Sequence, residues 1–176
     1  MPLFLFEVPT GGDEAAINRA VSAVSAAAAA RKATLIEAQA TADRRRLYLI
    51  VEAADRAVAD AVISAGGLAP VLTKEVRLIG QDLATIKAKR AKANFLVEWN
   101  LPSGLTMEAY LKRKAEKTPL YEKVPEVSFE RTYVCEDLSK CLCLYDGPDE
   151  AAIRRARSVV GAPIDQLNQI RSAGTQ

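Results

Sequence analysis

The chain has 176 residues, of which 49% are apolar, and a net charge of +2 from 24 basic and 22 acidic residues; it contains no histidine. This length suits one ordinary domain or two small ones. The charge balance argues against a nucleic-acid-binding protein, and the lack of histidine excludes Ser-His-Asp and Cys-His catalysis. Met1–Gly12 lacks the basic region of a signal peptide and no segment approaches the roughly 20 apolar residues of a membrane span, so we expect a soluble, cytoplasmic protein with no membrane partner.

The first half of the chain predicts the order strand, helix, strand, strand, helix, strand. The first helix opens at Asp13, and its apolar residues recur at spacings of three and four. The second helix opens at Asp55 and ends at Gly66-Gly67. This order is the split βαβ, or ferredoxin-like, unit. The predicted strands are 3–8, 34–40, 47–51 and 71–79, and the predicted helices are 13–31 and 55–65.

The second half repeats this order about ninety residues later. Thr106 is a plausible N-cap for its first helix. Asp146-Gly147-Pro148 opens its second helix, and Gly161-Ala162-Pro163 ends it. The predicted strands here are 94–99, 127–135, 141–145 and 164–170. We therefore predict a ferredoxin-like unit over 1–80, a basic connector over 81–93 and a second ferredoxin-like unit over 94–176.

Both faces of the central strands are apolar. In 47–51 and in 141–145, neighbouring residues on opposite faces are both apolar, whereas a sheet with one wet face would alternate. Helices cover only one face of a ferredoxin-like sheet, so a second sheet must cover the other. We predict an α+β fold in which two tandem ferredoxin-like (βαββαβ) units form a pseudo-dimeric αβ barrel or a sheet-to-sheet sandwich. Association with another chain is the alternative.

A set of short motifs in the second half occurs in a characteristic order and spacing. The motifs are Phe95–Glu98, Leu101-Pro102, Thr132–Val134, Asp137, Cys143–Tyr145, Pro148, Glu150, Ile153-Arg154 and Gly161–Pro163. Together they cover most of 94–171 and resemble domain-of-unknown-function family 4242, small ferredoxin-like proteins whose studied members bind nickel. The family's two histidines, its presumed nickel ligands, fall on Arg131 and Ala156. Nickel is therefore not expected here, and we predict no cofactor.

Three cysteines form the first candidate site. Cys141 and Cys143 project from one strand face, and Cys135 would face Cys141 across a three-residue turn. Three thiolates could hold a soft metal such as Zn or Cu(I). The alternative is that they are small buried hydrophobes, which is favoured because Leu47 and Leu49 occupy the equivalent positions of Cys141 and Cys143 in the first half.

Arg131, Tyr133 and Tyr145, with Glu98 nearby, form the second candidate site. An arginine and two tyrosines lining a barrel could bind an anionic or aromatic small molecule. The alternative is an exposed or interface-paired arginine with tyrosines at the rim of a sheet interface.

Other charged residues have simpler interpretations. Glu7 and Glu98 are repeat equivalents, and they are either strand-end surface charges or a carboxylate pair. The runs Lys112–Lys114 and Arg154–Arg157 are predicted to be solvated outer faces of helices.

Three functions are compatible with these features. The first is a non-enzymatic small-ligand or metal-related binding protein without the histidines of its nickel-binding relatives. The second is a cofactor-free αβ-barrel enzyme, of oxygenase or isomerase type, acting on a small anionic or aromatic substrate. The third is a structural module that assembles with a protein partner or with itself.

Overall fold

A computed structural model describes residues 1–88 and 92–174 of the protein. Lys89 and Arg90 of the predicted connector lie outside the described residues. The strands are β1 Leu3–Pro9, β2 Thr34–Thr41, β3 Arg46–Glu52, β4 Leu72–Ile79, β5 Phe95–Asn100, β6 Ser128–Cys135, β7 Lys140–Asp146 and β8 Gln166–Ser172. The helices are α1 Glu14–Ala30, α2 Arg56–Ala65, α3 Leu83–Ala88, α4 Met107–Lys117 and α5 Glu150–Val159, with a 3-10 segment at Thr118–Lys123.

The described strands form one closed barrel. They are hydrogen-bonded in the order β1-β3-β2-β8-β5-β7-β6-β4, and the order along the chain is βαββαβ in each half. The predicted α+β fold of two ferredoxin-like units is confirmed, with the barrel rather than the sandwich as its form. None of the helices in 1–88 and 92–174 has both the length and the apolar character needed to cross a bilayer.

The compact units differ from the predicted ranges at their ends. Residues 1–76 and 170–176 make one unit, and residues 77–169 make the other. The last residues of β8 join the first unit because Ile170, Arg171 and Ser172 pair with residues 39–41 of β2.

Aspartate or threonine side chains begin the main helices of both halves. Asp13, Asp55 and Thr106 cap α1, α2 and α4, as the sequence predicts. The last helix begins later than predicted. Asp149, not Asp146, is its N-cap, and its carboxylate accepts a hydrogen bond from the Ala152 N–H at 2.8 Å. Each such cap satisfies a backbone donor that the helix itself leaves free.

The core of the first unit lies between its helices and one sheet face. It is almost wholly aliphatic and aromatic hydrocarbon. Its central members are Phe4, Phe6, Val21, Val24, Leu47, Leu49, Val51, Val62 and Ile63.

The second unit has the same layering but different chemistry at three positions. Counting from the first residues of β3 and β7, Cys143 corresponds to Leu49 and Tyr145 to Val51. Counting from the first residues of α2 and α5, Arg157 corresponds to Ile63. All three second-unit residues are at most 2% exposed. Polar side chains therefore lie where the first unit packs hydrocarbon.

Both halves carry a β-bulge at the same place. The register between strands shifts between Leu35 and Glu37 in β2 and between Phe129 and Arg131 in β6. A bulge inserts one residue and reverses which face the following side chains occupy relative to the partner strand. This reversal decides which predicted site residues can meet.

Candidate functional site

The structure separates Tyr145 from Arg131 and Tyr133. Arg131 pairs with Leu144 and Tyr133 with Leu142, whereas Tyr145 pairs with Phe129. Residues next to each other in a strand point to opposite faces, so Tyr145 is on the face opposite Arg131 and Tyr133. The predicted pocket with all three residues around one ligand is not formed, because the bulge after Phe129 reverses the sheet face to which the later residues of β6 point. Arg131 and Tyr133 are themselves fully buried, and a ligand role for them stays a prediction.

Glu98 is part of a buried ion pair. It is 4% exposed, and Lys140 Nζ lies 3.2 Å from its Oε1. Its repeat equivalent Glu7 is 3% exposed and lies 3.3 Å from Arg46 Nη1. The interpretation of both glutamates as surface charges is wrong, because each is withdrawn from water against a cation.

The cysteines do not form a three-thiolate site. Cys141 Sγ and Cys143 Sγ lie 3.9 Å apart, but Val134, not Cys135, pairs with Cys141. Cys135 consequently points to the other face of the sheet, and burial raises its pKa. In 1–88 and 92–174 there is no group of three Cys, Asp or Glu residues placed to hold a metal.

Cys143 has donors on several sides. Its sulfur lies 3.3 Å from Thr132 Oγ1, 3.5 Å from Arg157 Nη1 and 4.0 Å from Lys114 Nζ. Hydrogen bonding from Cys141, together with the charges of Lys114 and Arg157, holds the pKa of Cys143 well below its ordinary value despite burial. The hydrogen bond with Cys143 and burial raise the pKa of Cys141.

Two tyrosines continue this polar network. Tyr121 and Tyr145 hydroxyls lie 2.7 Å apart, and Arg157 Nη1 donates to Tyr145 Oη at 3.1 Å. The Tyr121 ring stacks on Phe129 at a centroid distance of 5.4 Å. Burial raises the pKa of both tyrosines, so both are neutral hydrogen-bonding groups at neutral pH.

A cleft opens above this network. We call it the cationic cleft, since Arg113, Lys114, Lys117 and Arg157 line it and no Asp or Glu does so among the described residues. The first three follow Tyr110 on α4 at spacings that place them on one helix face. Trp99, Tyr121 and Cys143 supply further lining.

The sequence of the second unit matches a known family. Residues 95–170 match the nickel responsive protein SCO4226-like family. The predicted resemblance of 94–171 is thereby confirmed. A comparison with curated proteins found no match for the chain.

Solved structures match the chain over nearly its whole length. A protein provisionally named a chlorite dismutase is 12% identical with a TM-score of 0.59, and the alignment covers 99% of this chain and 97% of that one. A protein from Fusobacterium nucleatum subsp. nucleatum, provisionally named a monooxygenase, is 11% identical with a TM-score of 0.52, covering 98% and 92%. At these identities the similarity shows the αβ-barrel fold alone.

The residues of the SCO4226-like half do not fit nickel. The sequence has no histidine, and the positions where the resemblance places the family's histidines hold Arg131 and Ala156. Arg131 is a cation that cannot ligate a metal ion.

The cations of the cationic cleft were missed by the sequence analysis. Lys114 and Arg157 belong to the two runs predicted to be solvated, yet Arg157 is 2% exposed. The prediction holds for Arg154 and Arg155, which are exposed and pair with Glu150 and Glu126. The available signal was helical spacing, because Arg157 follows Ile153 by four residues and so falls on the apolar face of α5.

Proposed function

We propose that this protein binds a small organic anion in the cationic cleft and functions as a small-ligand-binding protein. The observation that carries the proposal is the convergence of four cations without a carboxylate. None of Arg113, Lys114, Lys117 and Arg157 forms an ion pair with an acidic residue in 1–88 and 92–174. The other two arginines of α5 are paired, Arg154 with Glu150 and Arg155 with Glu126.

Electrostatics favours an anion as the occupant. Like charges that share a cleft repel one another, and a cleft wall of low dielectric constant strengthens the field at its centre. An anion removes that repulsion, so its binding is favoured over that of a neutral analogue. Arginine is suited to the task because its planar fork binds carboxylates with two hydrogen bonds. Arg113 is held in place by a hydrogen bond to the Gly161 carbonyl oxygen at 2.8 Å.

The cleft wall favours an organic anion over an inorganic one. The guanidinium carbons of Arg113 and Arg157 each lie 5.8 Å from the centre of the Trp99 ring. An apolar surface thus lies directly beside the cations. A ligand with a carboxylate and an aromatic or aliphatic body meets both features.

Isothermal titration calorimetry with benzoate and the neutral isostere benzamide tests the proposal. We expect benzoate to bind at least about tenfold more tightly than benzamide, and its affinity to fall as salt rises, because screening weakens the field. Lys117→Gln should weaken benzoate binding, since Lys117 lines the cleft. Lys112→Gln is the matched control, because it removes the same charge from an exposed position of α4 outside the lining.

Three results would overturn the proposal. One is the absence of benzoate binding at about 10 mM, which is the weakest affinity of interest for a specific site. Another is equal affinity for benzoate and benzamide. The third is an equal loss of affinity in Lys117→Gln and Lys112→Gln, which would assign the effect to overall charge and not to the cleft.

A further inference from the structure

Cys143, at the floor of the cationic cleft, is surrounded by hydrogen-bond donors that a purely structural cysteine does not need. Arg157 and Lys114 are donors only, and neither can accept a hydrogen bond. Their nitrogens lie 3.5 and 4.0 Å from Cys143 Sγ, so the sulfur is positioned to accept from both. The Thr132 hydroxyl at 3.3 Å and the Cys141 thiol at 3.9 Å can donate as well. Donors on several sides of a sulfur favour the thiolate, which is the nucleophilic form of cysteine, over the neutral thiol.

One buried polar atom at the cleft points independently to a ligand. Arg157 is 2% exposed and lines the cleft. In the described part of the chain, Arg157 Nε has no hydrogen-bond partner. Buried polar atoms are nearly always satisfied, so one that lacks a partner beside a cleft indicates that a bound molecule supplies it.

We propose that Cys143 is a nucleophile that attacks a carboxylate-bearing carbon electrophile held in the cationic cleft. This inference rests on the proposed function, since the cations that bind the carboxylate also bring the electrophilic carbon to the sulfur. It adds a covalent modification site and defines the chemical class of its reactant.

The step balances without an oxidant or a second reactant. The Cys143 sulfur donates an electron pair to the electrophilic carbon, and the carbon–sulfur bond forms. The bond from that carbon to its leaving group breaks, and the leaving group departs with the electron pair. No proton moves at Cys143, because the sulfur enters as a thiolate. Arg157 and Lys114 lose their sulfur anion in the product and keep the ligand carboxylate as their counter-charge.

The neighbouring cysteines supply internal controls. Cys141 is fully buried and does not line the cleft, and burial together with its hydrogen bond to Cys143 raises its pKa. Cys135 is equally buried and points to the other sheet face, as its register shows. The proposal therefore assigns the reactivity to one of three buried cysteines, although solvent exposure hardly distinguishes them.

Rates of alkylation by iodoacetate and by neutral iodoacetamide test the inference, with iodide as the leaving group. The site of modification is found by peptide mass spectrometry of the intact, folded protein. We expect Cys143 to be modified first. The ratio of the iodoacetate rate to the iodoacetamide rate should exceed that of free glutathione by at least about fivefold, because the cleft concentrates the anion. The rate at Cys143 should rise with pH around a midpoint below about 8.5, the ordinary value for cysteine.

Variants assign the effect to the cleft. Lys117→Gln should lower the iodoacetate rate while leaving the iodoacetamide rate within about twofold, and Lys112→Gln should change neither. Benzoate should protect Cys143 from iodoacetate. Cys135→Ser should leave both rates as they are, and Cys143→Ser should abolish the rapid reaction.

The outcomes separate the two proposals. If benzoate binds but Cys143 reacts no faster than Cys135 or shows no preference for iodoacetate, the inference is wrong and the proposed function stands. If Cys143 reacts rapidly with both reagents while benzoate neither binds nor protects, the proposed function is wrong and the inference fails in its choice of an anionic reactant. Preferential carboxymethylation of Cys143 with protection by benzoate supports both.

Discussion

Replacing Arg157 by isoleucine, its counterpart in the first unit, provides the sharpest test of the buried polar network. Arg157 is 2% exposed; it donates to Tyr145 Oη at 3.1 Å and to the Pro163 carbonyl, and it lies 3.5 Å from Cys143 Sγ. Arg157→Ile removes all three interactions and leaves a buried thiolate without its nearest cation. Breaking a buried charge pair from one side costs about 3–5 kcal/mol. We expect a decrease of that size in the free energy of unfolding.

The same substitution should cost less when its partners are also made apolar. The first unit packs Leu49 and Val51 where the second has Cys143 and Tyr145. In a Cys143→Leu background, Arg157→Ile no longer leaves a buried sulfur anion without a cation. The coupling energy between positions 143 and 157 should therefore be about 1–3 kcal/mol. Adding Tyr145→Val completes the hydrocarbon set, and the triple variant should lie within about 2 kcal/mol of the wild type.

Urea unfolding measures these energies, with the fluorescence of Trp99, the one tryptophan of the sequence, as the signal. The coupling should depend on pH. The pKa of Cys143 is lowered in the folded protein, so the unfolded chain holds a proton that the folded chain has released. Stability from the thiolate is therefore complete above about pH 8.5 and decreases as the pH falls through the folded pKa.

Two results would refute the reasoning. A coupling energy below about 0.5 kcal/mol would mean that Arg157 and Cys143 act independently. A coupling that grows as the pH falls from 8.5 to 5 would mean that the neutral thiol, and not the thiolate, is the partner of Arg157.

Three further predictions use the same urea assay on other parts of the chain. Asp149→Ala should lower the free energy of unfolding by about 1 kcal/mol through loss of the α5 cap, and an unchanged midpoint would show that the cap contributes nothing. Glu98→Leu should cost about 3 kcal/mol or more by leaving Lys140 buried without its carboxylate, and a neutral result would contradict the assignment of a buried ion pair. Ile63→Arg places the second unit's arginine in the first unit and should cost more than about 4 kcal/mol, since Leu49 and Val51 offer it no hydrogen-bond acceptor. An arginine tolerated at this position would refute the view that the first unit lacks a site for a buried arginine.

The elements and their order could be predicted because their signals are local. Asp13, Asp55 and Thr106 mark helix starts through capping, which depends only on the next three residues. The repeat of strand and helix order then predicts the ferredoxin-like units. Two apolar faces on one strand require a second covering layer, and this requirement predicts a barrel or a sheet-to-sheet sandwich without any three-dimensional information.

The membership of the site could not be predicted in the same way. The bulge between Phe129 and Arg131 has no glycine or proline to mark it, yet it reverses the faces of all later residues in β6 relative to β7. The bulge places Arg131 and Tyr133 on the sheet face opposite Tyr145, and Tyr145 lies on the face that contacts α5. A one-residue shift in register is enough to place a side chain on the opposite face of the sheet from the one predicted.

The charge runs show a second limit. Three of the four residues from Arg154 to Arg157 are arginines, and composition alone suggests a solvated face. The position of each residue on the helix separates them, because Arg154 and Arg155 lie on the exposed side whereas Arg157 lies among Ala152, Ile153 and Ala156. Periodicity applied residue by residue, instead of to the run as a whole, would have identified Arg157.

The comparison of the two halves argues that this buried network has a function beyond stability. The first unit folds with Leu49, Val51 and Ile63 at positions where the second carries Cys143, Tyr145 and Arg157. Hydrocarbon at such positions is commonly as stabilising as a buried ionic network or more so, because no charge has to be desolvated. The same fold thus offers an apolar solution within one chain, and the second unit departs from it at these three positions beneath the cationic cleft. These polar side chains lower or merely maintain stability, and they place the Cys143 sulfur and Arg157 at a cleft. A binding site requires such an arrangement, whereas a core does not.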